Sequence, residues 1–64
     1  MQIHDVQIGL DNAGKYYYED TGEILEDGDL AYVIYIETAM DDEPVYFKSE
    51  EAAREYIEEN ELED

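Results

Sequence analysis

Leu30-Ala31-Tyr32-Val33-Ile34-Tyr35-Ile36 is the longest apolar stretch in the chain, and it has the length of a strand. Alternation puts Leu30, Tyr32, Ile34 and Ile36 on one face and Ala31, Val33 and Tyr35 on the other. A strand that is apolar on both faces belongs in the middle of a sheet. The strand is expected to run from Leu30 to Thr38, with Tyr32 and Tyr35 buried.

Downstream, Met40-Asp41-Asp42-Glu43-Pro44 turns the chain into a further strand, Val45-Tyr46-Phe47-Lys48. Pro44 at its start does little harm, because the missing N–H is not needed there. Ser49 is a good helix N-cap, and Glu50 and Glu51 favour the positive end of the helix dipole. The helix is expected from about Glu50 to Asn60, with Ala52, Ala53, Tyr56 and Ile57 on the face that meets the sheet. Glu61 to Asp64 is expected to fray.

Upstream, His4, Val6, Ile8 and Leu10 alternate with Asp5, Gln7 and Gly9 and read as a first strand. Asp11-Asn12-Ala13-Gly14 supplies a turn, and Lys15 to Glu19 a second strand, so the two predict a hairpin. Turn signals flank Glu23-Ile24-Leu25, which forms either a short strand or a loop folded back on the core. The fold class is α+β: a small antiparallel β-meander of three to four strands with one C-terminal α-helix packed on the sheet. Residues 1–64 form a single domain, with no repeat and no linker.

Charge dominates the composition. Twenty Asp and Glu face Lys15, Lys48 and Arg54, for a formal net charge of -17. Disorder of an acidic chain needs few aromatic and β-branched residues, whereas this one has seven Tyr, one Phe and periodic Val and Ile. It should fold, near the lower size limit for doing so alone. With no Cys, disulfides and thiolate zinc sites are excluded, which fits a reducing cytoplasmic setting, that of the host if the protein is phage-encoded. No run approaches the length of a membrane span.

Catalysis is not expected. His4 is the one His and reads as a partly exposed strand residue, and Ser49, the one Ser, is a cap. A thin sheet with one helix offers little room for a cleft that holds a carboxyl protonated. No cofactor or metal is expected either. With Gly28 at the sixth position of a calcium loop, Leu25 falls at the third and Ile34 at the twelfth, where carboxylates are needed. Gly9, Gly14, Gly22 and Gly28 form no phosphate-binding loop. So acidic a chain repels nucleic acid and anionic membrane and attracts basic proteins.

The candidate partner-binding residues are therefore the carboxylates. On the helix, Glu51, Glu55, Glu58 and Glu59 share one arc away from the sheet, with Arg54 able to relieve only the neighbouring arc through Glu50 and Glu58. That row carries a negative charge about every 6 Å, sparser than either strand of duplex DNA. Imitation of DNA needs further rows. Glu19, Asp20, Glu23, Glu26, Asp27 and Asp29 offer one in the long loop. Glu37 on the central strand and Asp41, Asp42 and Glu43 in the turn offer another. Tyr16, Tyr18 and Tyr46 are expected to pack in the core or across strands, with exposed aromatic anchors beside the carboxylates as the alternative.

A net charge of roughly 2–8 suits a small domain, so -17 works against stability and calls for an offsetting benefit. Three readings remain. The domain imitates nucleic acid and occupies the groove of a basic nucleic-acid-binding protein, such as a nuclease, defence effector or repair enzyme. Alternatively it is a halophile domain with a generic acidic surface, or an antitoxin-like partner of one basic protein. In size and charge the chain is similar to the phage-encoded DNA mimics, a functional class of anti-restriction proteins, anti-CRISPR proteins and uracil-DNA glycosylase inhibitors. The likeness is compositional and transfers no residue roles. It implies inhibition of a host defence or repair protein at its DNA or guide-RNA site.

Overall fold

The computed structural model describes residues 2–62. Three strands, β1 (His4–Gln7), β2 (Leu30–Glu37) and β3 (Asp42–Phe47), form one antiparallel sheet in the order β1-β2-β3, followed by helix α1 (Glu50–Glu59). The doubly apolar strand is the central one, as its pattern requires. Val6 faces Ala31 on one side of β2, and Val45 faces Ile34 on the other.

Each face of the sheet has its own cover. Ile34 and Phe47 point toward α1 and pack with Ala53, bordered by Tyr32, Val45, Tyr56 and Ile57. Ala31, Val33 and Tyr46 point the opposite way and pack with Ile8, Tyr18 and Leu25 of the long connection between β1 and β2. The sheet is thus sandwiched between a helix and a loop, which lets so short a chain bury two small clusters.

The first predicted hairpin does not form. β1 ends at Gln7 rather than Leu10 and pairs with β2, not with residues 15–19. From Gly9 the chain coils through helical turns, with the Asn12 and Ala13 amides donating to the Gly9 carbonyl. Leu10 is consequently exposed although its alternation pointed inward. Residues 15–19 enter no strand of the sheet; Tyr17 bridges Ile24, and Tyr18 bridges Tyr46 in parallel fashion. The physical reason is that a half-apolar segment gains more from pairing with the doubly apolar β2 than from pairing with another half-apolar one.

Of the two options for residues 23–25, the loop folded back on the core is the one that forms, and no strand does. Ile24 bridges Tyr17 at the surface, while Leu25 lies in the core. The Tyr18 amide donates to the Glu23 carbonyl at 2.7 Å and the Leu25 amide to the Tyr16 carbonyl at 3.0 Å. Gly22 turns the chain between them at φ 81°, a region open to glycine at little cost.

Tyr18 ties this loop down. Its ring is fully buried, its hydroxyl donates to an Asp29 carboxylate oxygen at 3.1 Å, and Lys48 Nζ lies 5.0 Å from the ring centroid. Burial, then the Asp29 bond, then the negative charge of Asp29, Glu23 and Glu26, push its pKa from 10.0 up to about 12. The folded state therefore favours the neutral phenol. That contribution is complete below pH 10 and is lost as pH rises through 12, on the order of 2–3 kcal/mol. Denaturant titrations across this window should show the loss, and Tyr18→Phe should remove its share. Tyr46, raised chiefly by burial, should leave a residual slope. An unchanged slope in Tyr18→Phe would contradict the assignment.

β3 begins three residues before the expected Val45, so Pro44 sits within it, opposite Tyr35. This is tolerated because β3 is an edge strand. The loop between β2 and β3 is closed by Thr38, whose side chain donates to the Asp41 carbonyl and accepts from the Asp41 amide.

At the helix start, Ser49 Oγ accepts from the Ala52 amide at 3.1 Å, the expected cap. At the other end Glu61 adopts φ 53°, its amide donates to the Glu58 carbonyl, and the Leu62 amide donates to the Ile57 carbonyl. This is a Schellman ending with Glu where glycine is usual. Leu62 packs on the helix-side cluster, so the expected fraying does not extend to it; Glu63 and Asp64 lie outside the described residues. Glu61→Gly should raise stability by about 1 kcal/mol in denaturant unfolding, by relieving left-handed strain and removing an anion from the negative end of the helix dipole.

Candidate acidic interface

The carboxylates divide by what they do. Two hold the long loop in place: Asp29 accepts from Tyr18, and both Asp20 oxygens accept from the Lys48 amide, at 3.2 and 3.3 Å. These bonds fasten the loop to the sheet beside β3, next to the Glu19 amide, which donates to the Tyr46 carbonyl at 2.8 Å. Glu23 meets Lys48 Nζ at 3.1 Å, which raises the Lys48 pKa, and Glu50 meets Arg54 at 3.2 Å one turn away. Glu26 and Asp27 are exposed in the turn before Gly28. Glu37 and Asp42 face each other across the end of the β2–β3 pair, like charges in register that work against the hairpin.

Of the helix row, Glu51, Glu55, Glu58 and Glu59 are all exposed, but the structure joins only two of them to the loop. Glu55 and Glu59 line a depression of about 410 Å³ together with Glu19 and Asp20 of the loop, Phe47 and Tyr56. Glu19 and Tyr56 also line a neighbouring trough of about 470 Å³, walled by Tyr16, Tyr17, Asp42 and Glu43. The two depressions thus share Glu19 and Tyr56 in their linings. Loop, edge strand and helix contribute to one acidic face running beside β3. Glu23, Glu26, Asp27, Asp29, Glu37, Asp41, Glu51 and Glu58 line neither depression.

No family model, curated protein or solved structure matches the chain.

The aromatic residues resolve in different ways. Tyr18 and Tyr46 pack rather than serve as exposed anchors: both are buried in the cluster with Ile8, Leu25, Ala31 and Val33. Tyr16 is partly exposed and rests on Tyr46, ring centroids 5.3 Å apart. Tyr35 is 47% exposed rather than buried, since the loop that covers Ala31 and Val33 does not reach the end of β2; Tyr32 is half-buried. Sequence reasoning missed Tyr17 and Tyr56 as lining residues. Alternation carried a signal for Tyr17: if Tyr18 points inward, its neighbour points out. Tyr56 had been assigned wholly to the core, and it does pack on Phe47, at 5.3 Å between centroids, while one side remains open to the depressions.

Among the described residues, no three Asp, Glu or His side chains are grouped closely enough to hold a metal ion. Nor, among the described residues, is any helix long and apolar enough to cross a membrane.

Proposed function

We propose that this domain is a nucleic-acid mimic, a non-catalytic inhibitor that occupies the DNA- or RNA-binding site of a basic host defence or repair protein. The observation that carries the reading is charge per length. The body is 30 Å along its longest axis, and the chain has a formal net charge of -17. A DNA duplex carries one charge per ~1.7 Å of axis, so roughly 18 over that length. A basic groove would meet a comparable field from either, with fast electrostatic association.

The face beside β3 supplies more than one row. Glu55 and Glu59 are a helical turn apart, about 6 Å. Glu19 and Asp20 line the same depression, and Asp42 and Glu43 line its neighbour beside the edge strand. Such an arrangement presents carboxylates from loop, strand and helix around two neighbouring concavities, as phosphates border a groove.

The test is capture from bacterial lysate on the immobilised domain, eluted first with short duplex DNA and then with high salt. A nuclease, repair enzyme or defence effector in the DNA eluate supports mimicry and names the target. A single protein released by salt but not by DNA would replace mimicry with a dedicated antitoxin-like partnership. Empty eluates from folded protein, combined with unfolding at low salt, would favour a halophile domain.

A further inference from the structure

Phosphate mimicry requires carboxylates but has no use for the tyrosines beside them. The trough next to β3 combines both: Tyr16, Tyr17 and Tyr56 with Glu19, Asp42 and Glu43. Tyr16 is held against Tyr46 and Tyr56 against Phe47, so these rings are positioned by the core rather than loose on the surface. Tyr17 is 56% exposed although its neighbour Tyr18 is buried, which leaves a large apolar face in water at the trough wall. An aromatic wall bordered by carboxylates is complementary to a cation that also has a flat apolar face.

We propose that this trough receives an arginine side chain of the partner protein. The planar guanidinium stacks on aromatic faces and bonds carboxylates through its fork of N–H donors; an ammonium is a more strongly hydrated point charge and does this less well. The inference rests on the mimic reading and deepens it: nucleic-acid-binding grooves are rich in arginine, and one of those residues becomes the anchor. Arginine is among the residues that dominate binding energy at interfaces, in desolvated pockets of this kind. Lys15 also lines the trough, and its positive charge there weakens the field that an incoming cation meets.

The test needs no partner protein, so its failure is distinguishable from failure of the mimic reading. N-acetyl-arginine amide is titrated into the domain and followed by the NMR signals of the tyrosine rings, with N-acetyl-lysine amide in parallel. The expected result is a saturable response at Tyr16, Tyr17 and Tyr56, several-fold stronger for arginine than for lysine. Tyr17→Ala and Glu43→Gln should each weaken it at least threefold, and Lys15→Gln should tighten it. Asp11→Asn, which removes a charge in the turn after β1, should leave it unchanged. Both Tyr17 and Glu43 are exposed, so these variants keep the fold, which circular dichroism checks. A non-saturating response, equal responses to the two amides, or equal losses in Asp11→Asn and Glu43→Gln would overturn the proposal.

Discussion

Leu25→Ala is expected to leave the domain largely unfolded at 25 °C in low salt, although Leu25 belongs to no strand or helix. Its side chain is 1% exposed, enclosed by Ile8, Tyr18, Ala31, Val33 and Tyr46. Truncating a buried leucine costs about 2–5 kcal/mol, from lost transfer energy and the cavity left behind. A single core of this size rarely supplies more than about 3–5 kcal/mol, and charge repulsion reduces that further. The neighbouring Ile24→Ala is the control. Ile24 is 56% exposed, and its truncation should shift stability by less than about 1 kcal/mol. Urea unfolding of the two variants decides the matter. Similar losses in both would mean that the loop does not form half of the core. Salt at 1 M shortens the Debye length to about 3 Å and should partly restore Leu25→Ala, by screening repulsion and not by filling the cavity.

The second large effect concerns binding. A variant carrying Glu19→Gln, Asp42→Asn, Glu43→Gln, Glu55→Gln and Glu59→Gln should bind the captured target at least ~100-fold more weakly. That is about 2.7 kcal/mol spread over five carboxylates, modest beside the coupling energies of close interfacial charge pairs. Much of the loss should be a slower association rate, and the salt dependence of binding should flatten. Stability should hold or rise. All five side chains are exposed, none accepts a bond that fastens the loop, and Asp42→Asn removes the like-charge confrontation with Glu37. Asp20 is deliberately kept, because its carboxylate holds the Lys48 amide. The comparison is Asp5→Asn with Asp11→Asn, away from this face. If those lose as much affinity per charge removed, net charge alone drives binding and no face is involved. If the five-fold variant binds normally, the interface lies elsewhere, with Glu51 and Glu58 of the helix or Glu26 and Asp27 of the loop as the next residues to change.

The choice of those five shows where sequence and structure part. The row Glu51, Glu55, Glu58 and Glu59 was legible as an exposed arc because helical periodicity is local. That only Glu55 and Glu59 meet the loop carboxylates depends on where residues 19 and 20 dock. The docking rests on hydrogen bonds between distant positions, from the Glu19 amide to the Tyr46 carbonyl and from the Lys48 amide to the Asp20 carboxylate, which no local pattern announces. The tyrosines behave likewise. Three in a row at 16–18 point to alternating sides, but which side is inward turns on a one-residue register, and reversing it exchanges buried for exposed.

The sequence by itself determined that this chain folds as an α+β domain, with a central strand starting at Leu30, read one residue too long to Thr38, and a helix capped by Ser49. It also determined the charge that any partner must complement. These follow from patterns whose period spans two to four residues. The tertiary structure alone decided what covers the second face of the sheet. Residues 8–29 do so as a loop rather than a hairpin, because Ile8, Tyr18 and Leu25 bury more apolar surface against Ala31, Val33 and Tyr46 than a separate two-stranded ribbon could. That docking placed Tyr16 and Tyr17 beside β3 and brought Glu19 into one trough with Asp42 and Glu43, far away in sequence.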